Sequence, residues 1–179
     1  MTWEDLRSET LKLLEEYSDK YEELTDDDDI ALKIIPAANK ILFELARTKK
    51  ILTREQRAVK ENEVLDLKEL DSFYQIKNIR GVEYSRVGTY ITFEEDGEAT
   101  IYYYKYPKLI TEDTEDDYTL ELDMDALNIA PTGIAGTILM TDISNQYGKV
   151  FSNNYEQMLA RLDSRVGTES VTFEGGIDV

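Results

Sequence analysis

The side chains available for chemistry in this chain are Asp, Glu, Tyr, Ser, Thr, Lys and Arg, because its 179 residues include no Cys and no His. Without Cys there is no disulfide, thiolate nucleophile, zinc ribbon or iron–sulfur cluster. Without His, the Ser-His-Asp triad and the histidine metal sites are excluded. Paired carboxylates could hydrolyse a glycosidic bond. With 38 acidic residues, however, some close pair is inevitable, and none is singled out by apolar flanks that would raise a pKa. No Gly-rich dinucleotide fingerprint, Walker lysine loop, HExxH or Ser-x-x-Lys occurs. The expectation is a non-enzymatic protein with no catalytic residue, no cofactor and no metal site.

Four clusters could instead meet a partner. Tyr102, Tyr103, Tyr104 and Tyr106 could stack bases as an aromatic platform. Only Lys105 and Lys108 lie nearby in sequence and an acidic run follows, so packing or interface use is expected. The stretch Arg47, Lys49, Lys50, Arg54, Arg57 and Lys60 is the one basic contact surface for a phosphate or an acidic partner. Its competing and favoured reading is a solvated helix end. Glu112, Asp113, Glu115, Asp116 and Asp117 read as an exposed acidic loop, since bare carboxylates this close repel one another; Asp26 to Asp29 read the same way. Neither run has the alternating ligands, central Gly and closing Glu of an EF-hand. The fourth cluster is the tail, where Val171, Thr172 and Phe173 precede Gly175-Gly176-Ile177 with no evident way to be buried. Such a segment is either disordered or adds a strand to a partner's sheet, with Val171 and Phe173 on one face and Thr172 on the other.

The charge divides the chain. The net charge is -18 and the pI near 4.3, which argues against a general nucleic-acid binder. Residues 1–29 hold 12 acids and 3 bases, 30–111 hold 14 bases and 12 acids, and 112–125 hold eight acids and no base. At 41% hydrophobic content the chain is too apolar for a wholly disordered protein. No stretch nears 18 apolar residues, and Met1-Thr2-Trp3-Glu4-Asp5 lacks the regions of a signal peptide. A soluble cytoplasmic protein is the simplest expectation.

The elements that must position these clusters follow from periodicity. Thr2 and Asp5 form a capping-box pattern opening a helix over about 3–23, with Leu6, Leu13 or Leu14, Tyr17 and Tyr21 as its apolar stripe. Asp28 or Asp29 caps a second helix to about Arg47, with Ile30, Ile34, Ala37, Ala38, Ile41, Leu42 and Leu45 on one face and Pro36 bending it. A β region follows over about 64–107, with Glu94-Glu95-Asp96-Gly97 as a hairpin turn in which Gly97 can take a positive φ. Asp125 caps a helix over 126–143, where Gly133 and Gly136 mark a face held close to another helix, and a last helix covers 146–163. The expected fold is α+β: an antiparallel helical bundle over 1–163 with an inserted antiparallel β-hairpin or small sheet, then an extended arm over 164–179.

The sequences Asp-Asp-Ile-Ala-Leu-Lys-Ile-Ile-Pro (28–36), Ala-Leu-Asn-Ile-Ala-Pro-Thr-Gly-Ile-Ala (126–135) and Asn-Asn-Tyr-Glu-Gln-Met-Leu-Ala-Arg-Leu (153–162), with the tyrosine-rich β region, resemble the head–tail connector adaptors of tailed bacteriophages. The resemblance spans about 1–163 and is one of order and texture. It implies a ring, typically of twelve copies, between the portal protein and the next neck or tail protein of the virion, assembled in the host cytoplasm. It implies that the C-terminal arm, with Val171, Thr172, Phe173 and Ile177, reaches the portal. It also implies that DNA passes through without being read, for which an acidic lumen, furnished for instance by the 112–117 loop, is suited. The alternative from charge alone is an acidic protein-capturing or DNA-mimicking module.

Overall fold

The computed structural model describes residues 1–17, 28–141 and 146–163. Its elements in order are α1 (Trp3–Tyr17), α2 (Asp28–Thr48), β1 (Ile51–Val59), β2 (Val64–Asp66), a 3-10 turn (Leu67–Glu69), β3 (Phe73–Arg80), β4 (Tyr84–Val87), β5 (Tyr90–Phe93), β6 (Gly97–Lys105), α3 (Met124–Leu127), α4 (Ala130–Leu139) and α5 (Tyr147–Asp163). The 18–23 portion of the expected first helix, residues 142 and 143 of the expected third, and the 164–179 arm lie outside the described residues, as do the capping side chains of Asp28 and Asp29.

Helix α1 starts where its capping box places it. The Thr2 N–H donates to Asp5 Oδ2 at 2.9 Å and the Asp5 N–H donates back to Thr2 Oγ1 at 3.2 Å. These two reciprocal bonds satisfy N–H groups that the helix cannot. They also hold the Asp5 carboxyl below the usual carboxylate range, through the Thr2 backbone first and the Thr2 hydroxyl second. Leu6 and Leu14 are buried, and between them Thr10 is buried with its hydroxyl donating to the Leu6 carbonyl at 2.8 Å. Helix α2 buries Ile34, Ala37, Ala38, Ile41, Leu42 and Leu45 against the same cluster, which α4 and α5 complete.

The expected 126–143 helix is two pieces. Pro131 has no N–H for the Leu127 carbonyl and its ring crowds that group, so the chain turns at Asn128 and Ile129 and restarts with Pro131 in the first turn of α4. The cap of α3 is Asp123, whose carboxylate accepts from the Ala126 N–H at 2.8 Å; Asp125, expected in that role, sits in the first turn. Helices α4 and α5 then pack without clearance. A methyl group on Gly133 would stand 2.8 Å from the Tyr155 ring, and one on Gly148 would stand 2.8 Å from the Met140 nitrogen.

The β region overturns the expected fold class of a helical bundle carrying a hairpin. Six strands form two three-stranded antiparallel sheets, β1-β6-β3 and β2-β5-β4, with β6 and β5 in the centres. Together they enclose a core of their own, in which Val59, Ile79, Ala99, Ile101 and Tyr103 from the first sheet face Leu65, Ile91 and Phe93 from the second. The 94–97 segment is not a hairpin turn: β5 and β6 belong to different sheets, and the segment carries the chain between them. The tight hairpin lies at Gly88-Thr89, with Val87 opposite Tyr90 and Gly88 at φ +64°, a conformation glycine adopts without strain. The basic stretch expected as a helix end is mostly strand, since β1 runs from Ile51 to Val59 alongside the whole of β6.

The sandwich is pinned to the helices along α2. Tyr106 stacks on Phe43 of α2 with ring centroids 5.2 Å apart and meets Tyr74 at 4.8 Å. Asn39 holds the following segment by two bonds, its Nδ2 donating to the Ile110 carbonyl and its Oδ1 accepting from the Ile110 N–H, both at 2.8 Å. Lys105 pairs closely with Glu121, a contact that raises the lysine above its ordinary pKa, and lies 3.9 Å from Asp71.

Candidate docking surface

Alternation along β6 sends Ile101 and Tyr103 into the sandwich and leaves Tyr102 and Tyr104 on the other face of the sheet. Register decides what joins them. Leu52 lies opposite Tyr104 and Arg54 opposite Tyr102 on β1, while Gln75, Asn78 and Arg80 lie opposite Tyr104, Tyr102 and Thr100 on β3. Irregular register along β3 also brings Lys77 to this face. The Lys50 and Lys77 ammonium groups stand 5.0 and 5.7 Å from the centre of the Tyr104 ring, and the Arg80 guanidinium stands 5.5 Å from that of Tyr102.

The charge on this face is unusual for the molecule. Acids outnumber bases 38 to 20, yet Lys50, Arg54 and Arg80 have no carboxylate partner among the described residues. Lys50 donates instead to Gln75 Oε1 at 3.2 Å. Lys50 and Lys77 flank one ring and so stand within about 11 Å of each other, against a Debye length of about 8 Å at physiological salt. Exposed cation–π contacts contribute only about 0.5–1 kcal/mol each, and neighbouring like charges on a sheet oppose that gain. Stability alone therefore does not account for gathering these cations here.

The basic residues read from the sequence are not one surface. Lys50 and Arg54 belong to the tyrosine face, and Arg47 lies one helical turn after Phe43 on α2. Lys49 reaches Asp123 at 4.0 Å. Arg57 sits on the opposite face of β1 from Arg54 and pairs with Glu63 at 3.7 Å, and Lys60 follows the strand. Lys77 and Arg80 escaped sequence reading altogether. The signal for them was the alternation of β6, but it names no neighbour until the register of β3 is known.

The acidic loop is exposed and firmly held. The Thr111 N–H donates to Thr114 Oγ1 at 2.9 Å and the Thr114 N–H returns to the Thr111 carbonyl at 3.1 Å. The loop is stitched to the start of α1, where Trp3 and Glu4 donate their N–H groups to the Tyr118 and Asp116 carbonyls at 2.9 and 3.0 Å. Asp116 also pairs with Arg7 at 3.1 Å. Glu112, Asp113, Glu115 and Asp117 are exposed and have no cationic partner among the described residues. A cleft of about 400 Å³ beside the loop is lined by Trp3, Arg7, Ile34, Ile35 and the loop itself. Tyr118, at the loop's end, is pushed above its ordinary pKa by burial and then by Glu121.

Val171, Thr172, Phe173 and Ile177 lie outside the described residues. Among the described residues no three His, Cys, Asp or Glu side chains converge as a metal site, and no helix is long and apolar enough to cross a membrane. No protein-family model and no curated protein matches the chain.

Proposed function

We propose that this protein is a structural, non-enzymatic head–tail adaptor of a tailed phage, forming a ring between the portal and the next neck or tail protein through which DNA passes without sequence-specific binding. The observation that carries this reading is the meeting of the three resembling sequences. The 28–36, 126–135 and 153–162 stretches contribute Ile34, Ile134 and Tyr155 to one buried helical cluster, so the segments that carry the resemblance pack together. The largest charged features are open faces, which suits assembly on other proteins. The net charge of -18 favours passage of DNA over retention. Lys50, Arg54 and Arg80 beside Tyr102 and Tyr104 weigh against a DNA mimic, whose surface is uniformly anionic.

Co-sedimentation with the portal protein tests the reading. The full chain is expected to pellet with portal rings, and a chain ending at Asp163 is expected to stay folded but in the supernatant, because the arm supplies the portal contact. A full chain that never pellets with portal refutes the adaptor role. A truncated chain that still pellets removes the arm from it.

A further inference from the structure

We infer that the tyrosine–cation face of β1-β6-β3 is the docking surface for the acidic 111–118 loop of a second copy of this chain. The inference rests on the ring reading above and names the surfaces that would build the ring. It assigns the loop to the contact between copies and not to the lumen.

The argument starts from position. The chain leaves the first sheet at Tyr106 beside Phe43, passes Ile110 beside Asn39, and reaches the loop beside Ile34 and Ile35. It therefore runs back along α2 and sets the loop at one end of that helix, with the sheet at the other. Ile35 and Lys50 are separated by 15 residues of helix and exit, roughly 20 Å. That is more than two Debye lengths, so the loop cannot neutralise the face within one molecule.

Complementarity comes next. Among the described residues, Glu112, Asp113, Glu115 and Asp117 at one end have no cationic partner, and Lys50, Arg54 and Arg80 at the other have no anionic one. The loop's bonds to Trp3 and Glu4 fix its shape in advance, so little ordering is lost when it docks. Tyr102 and Tyr104 supply a rigid, partly exposed floor, and Leu52, 49% exposed, supplies apolar area at its edge. Two different surfaces at opposite ends of one molecule make a head-to-tail contact, the kind that closes into a ring when its rotation permits.

The chain has no Cys, so introduced cysteines report contacts cleanly. Gln56 lies on the outward face of β1 beside Arg54, and Glu115 is on the loop. Full-length Gln56→Cys mixed with full-length Glu115→Cys at physiological salt is expected to form disulfide-linked heterodimers. A chain carrying both cysteines is expected to give a ladder of larger species. Arg54→Glu with Arg80→Glu on the first partner should cut the yield roughly tenfold or more. Glu112→Lys with Asp117→Lys on the second partner should restore it.

A mixture that cross-links no better than Gln56→Cys with an α5 control, Met158→Cys, overturns the inference. So does a yield indifferent to charge reversal. A labelled single-stranded oligonucleotide that binds the native chain, is lost on Arg54→Glu with Arg80→Glu, and accompanies no cross-link reassigns the face to nucleic acid. The portal assay separates the two readings. Portal binding without the cross-link leaves the adaptor standing and this interface refuted, and the cross-link without portal binding does the reverse.

Discussion

Where α4 meets α5 there is no room for a methyl group on Gly133, whereas one face of the β1-β6-β3 sheet lies open with Lys50, Arg54 and Arg80 touching no carboxylate among the described residues. Both regions are ordered by the same rules of alternation and close packing, and the contrast lies in what each leaves unfinished. The helical cluster satisfies itself: its helices bury one another, and Tyr155 places even its hydroxyl 3.3 Å from Glu44 Oε2. The sandwich buries one side of each sheet and leaves its tyrosines and cations for something else. On the proposed reading, stability and recognition are carried by different halves of the molecule, and substitutions should separate them.

The largest effect belongs to the helical half. Tyr155→Ala removes a buried ring packed on Gly133 and should cost about 3–5 kcal/mol in urea unfolding. A loss below about 1 kcal/mol would mean that this contact is not the close one described. Next comes the joint between the halves. Lys105→Met strips Glu121 of its charged partner and should cost about 1.5–3 kcal/mol. Because the lysine is raised above its ordinary value, its contribution is complete below about pH 10.4 and is lost as pH rises through the raised value. The stability difference between native and Lys105→Met proteins should therefore shrink only in strongly alkaline buffer.

Smaller still is the cap. Thr2→Ala should cost about 1 kcal/mol by removing one half of the reciprocal pair. Asp5 is held low, so its contribution is complete above about pH 3.9 and is lost as pH falls through the lowered value. Acid unfolding of Asp5→Asn should lack that component, and an unchanged acid profile would contradict the assignment. The smallest effect on folding is expected on the open face. Arg54→Glu with Arg80→Glu should shift stability by no more than about 0.5 kcal/mol per site while cutting the cross-link between copies roughly tenfold or more. A large loss of stability there would show the cations to be structural and erase the contrast.

The helical half was largely legible in sequence because its signals are local. The Thr2–Asp5 spacing, the apolar face of α2 and the small residues of α4 each act within a few turns. The α3–α4 break is not legible because the helical spacing of Leu127, Ala130, Ile134 and Ile138 continues across Pro131, which in the fold starts a new helix. The sandwich was poorly legible for a different reason. Strand β1 puts Thr53, Glu55 and Arg57 on its inward side, so no apolar alternation marks it, and it exists by pairing with residues 38 to 54 positions away in sequence. The assembly of Lys50, Lys77 and Arg80 around Tyr102 and Tyr104 depends on that same register, which no local pattern carries. The hairpin at Gly88-Thr89 left a faint mark, a lone Gly between short strands, and was outweighed by the more conspicuous Asp96-Gly97.

The adaptor account is tested most directly by the native mass of this protein alone and mixed with a tailed-phage portal protein. The account predicts copies that associate only weakly and transiently alone, so that the native mass stays small, and, with portal, a complex heavier by multiple copies of 20.7 kDa arranged as a ring. A lasting monomer or dimer that adds nothing to the portal's mass would contradict it.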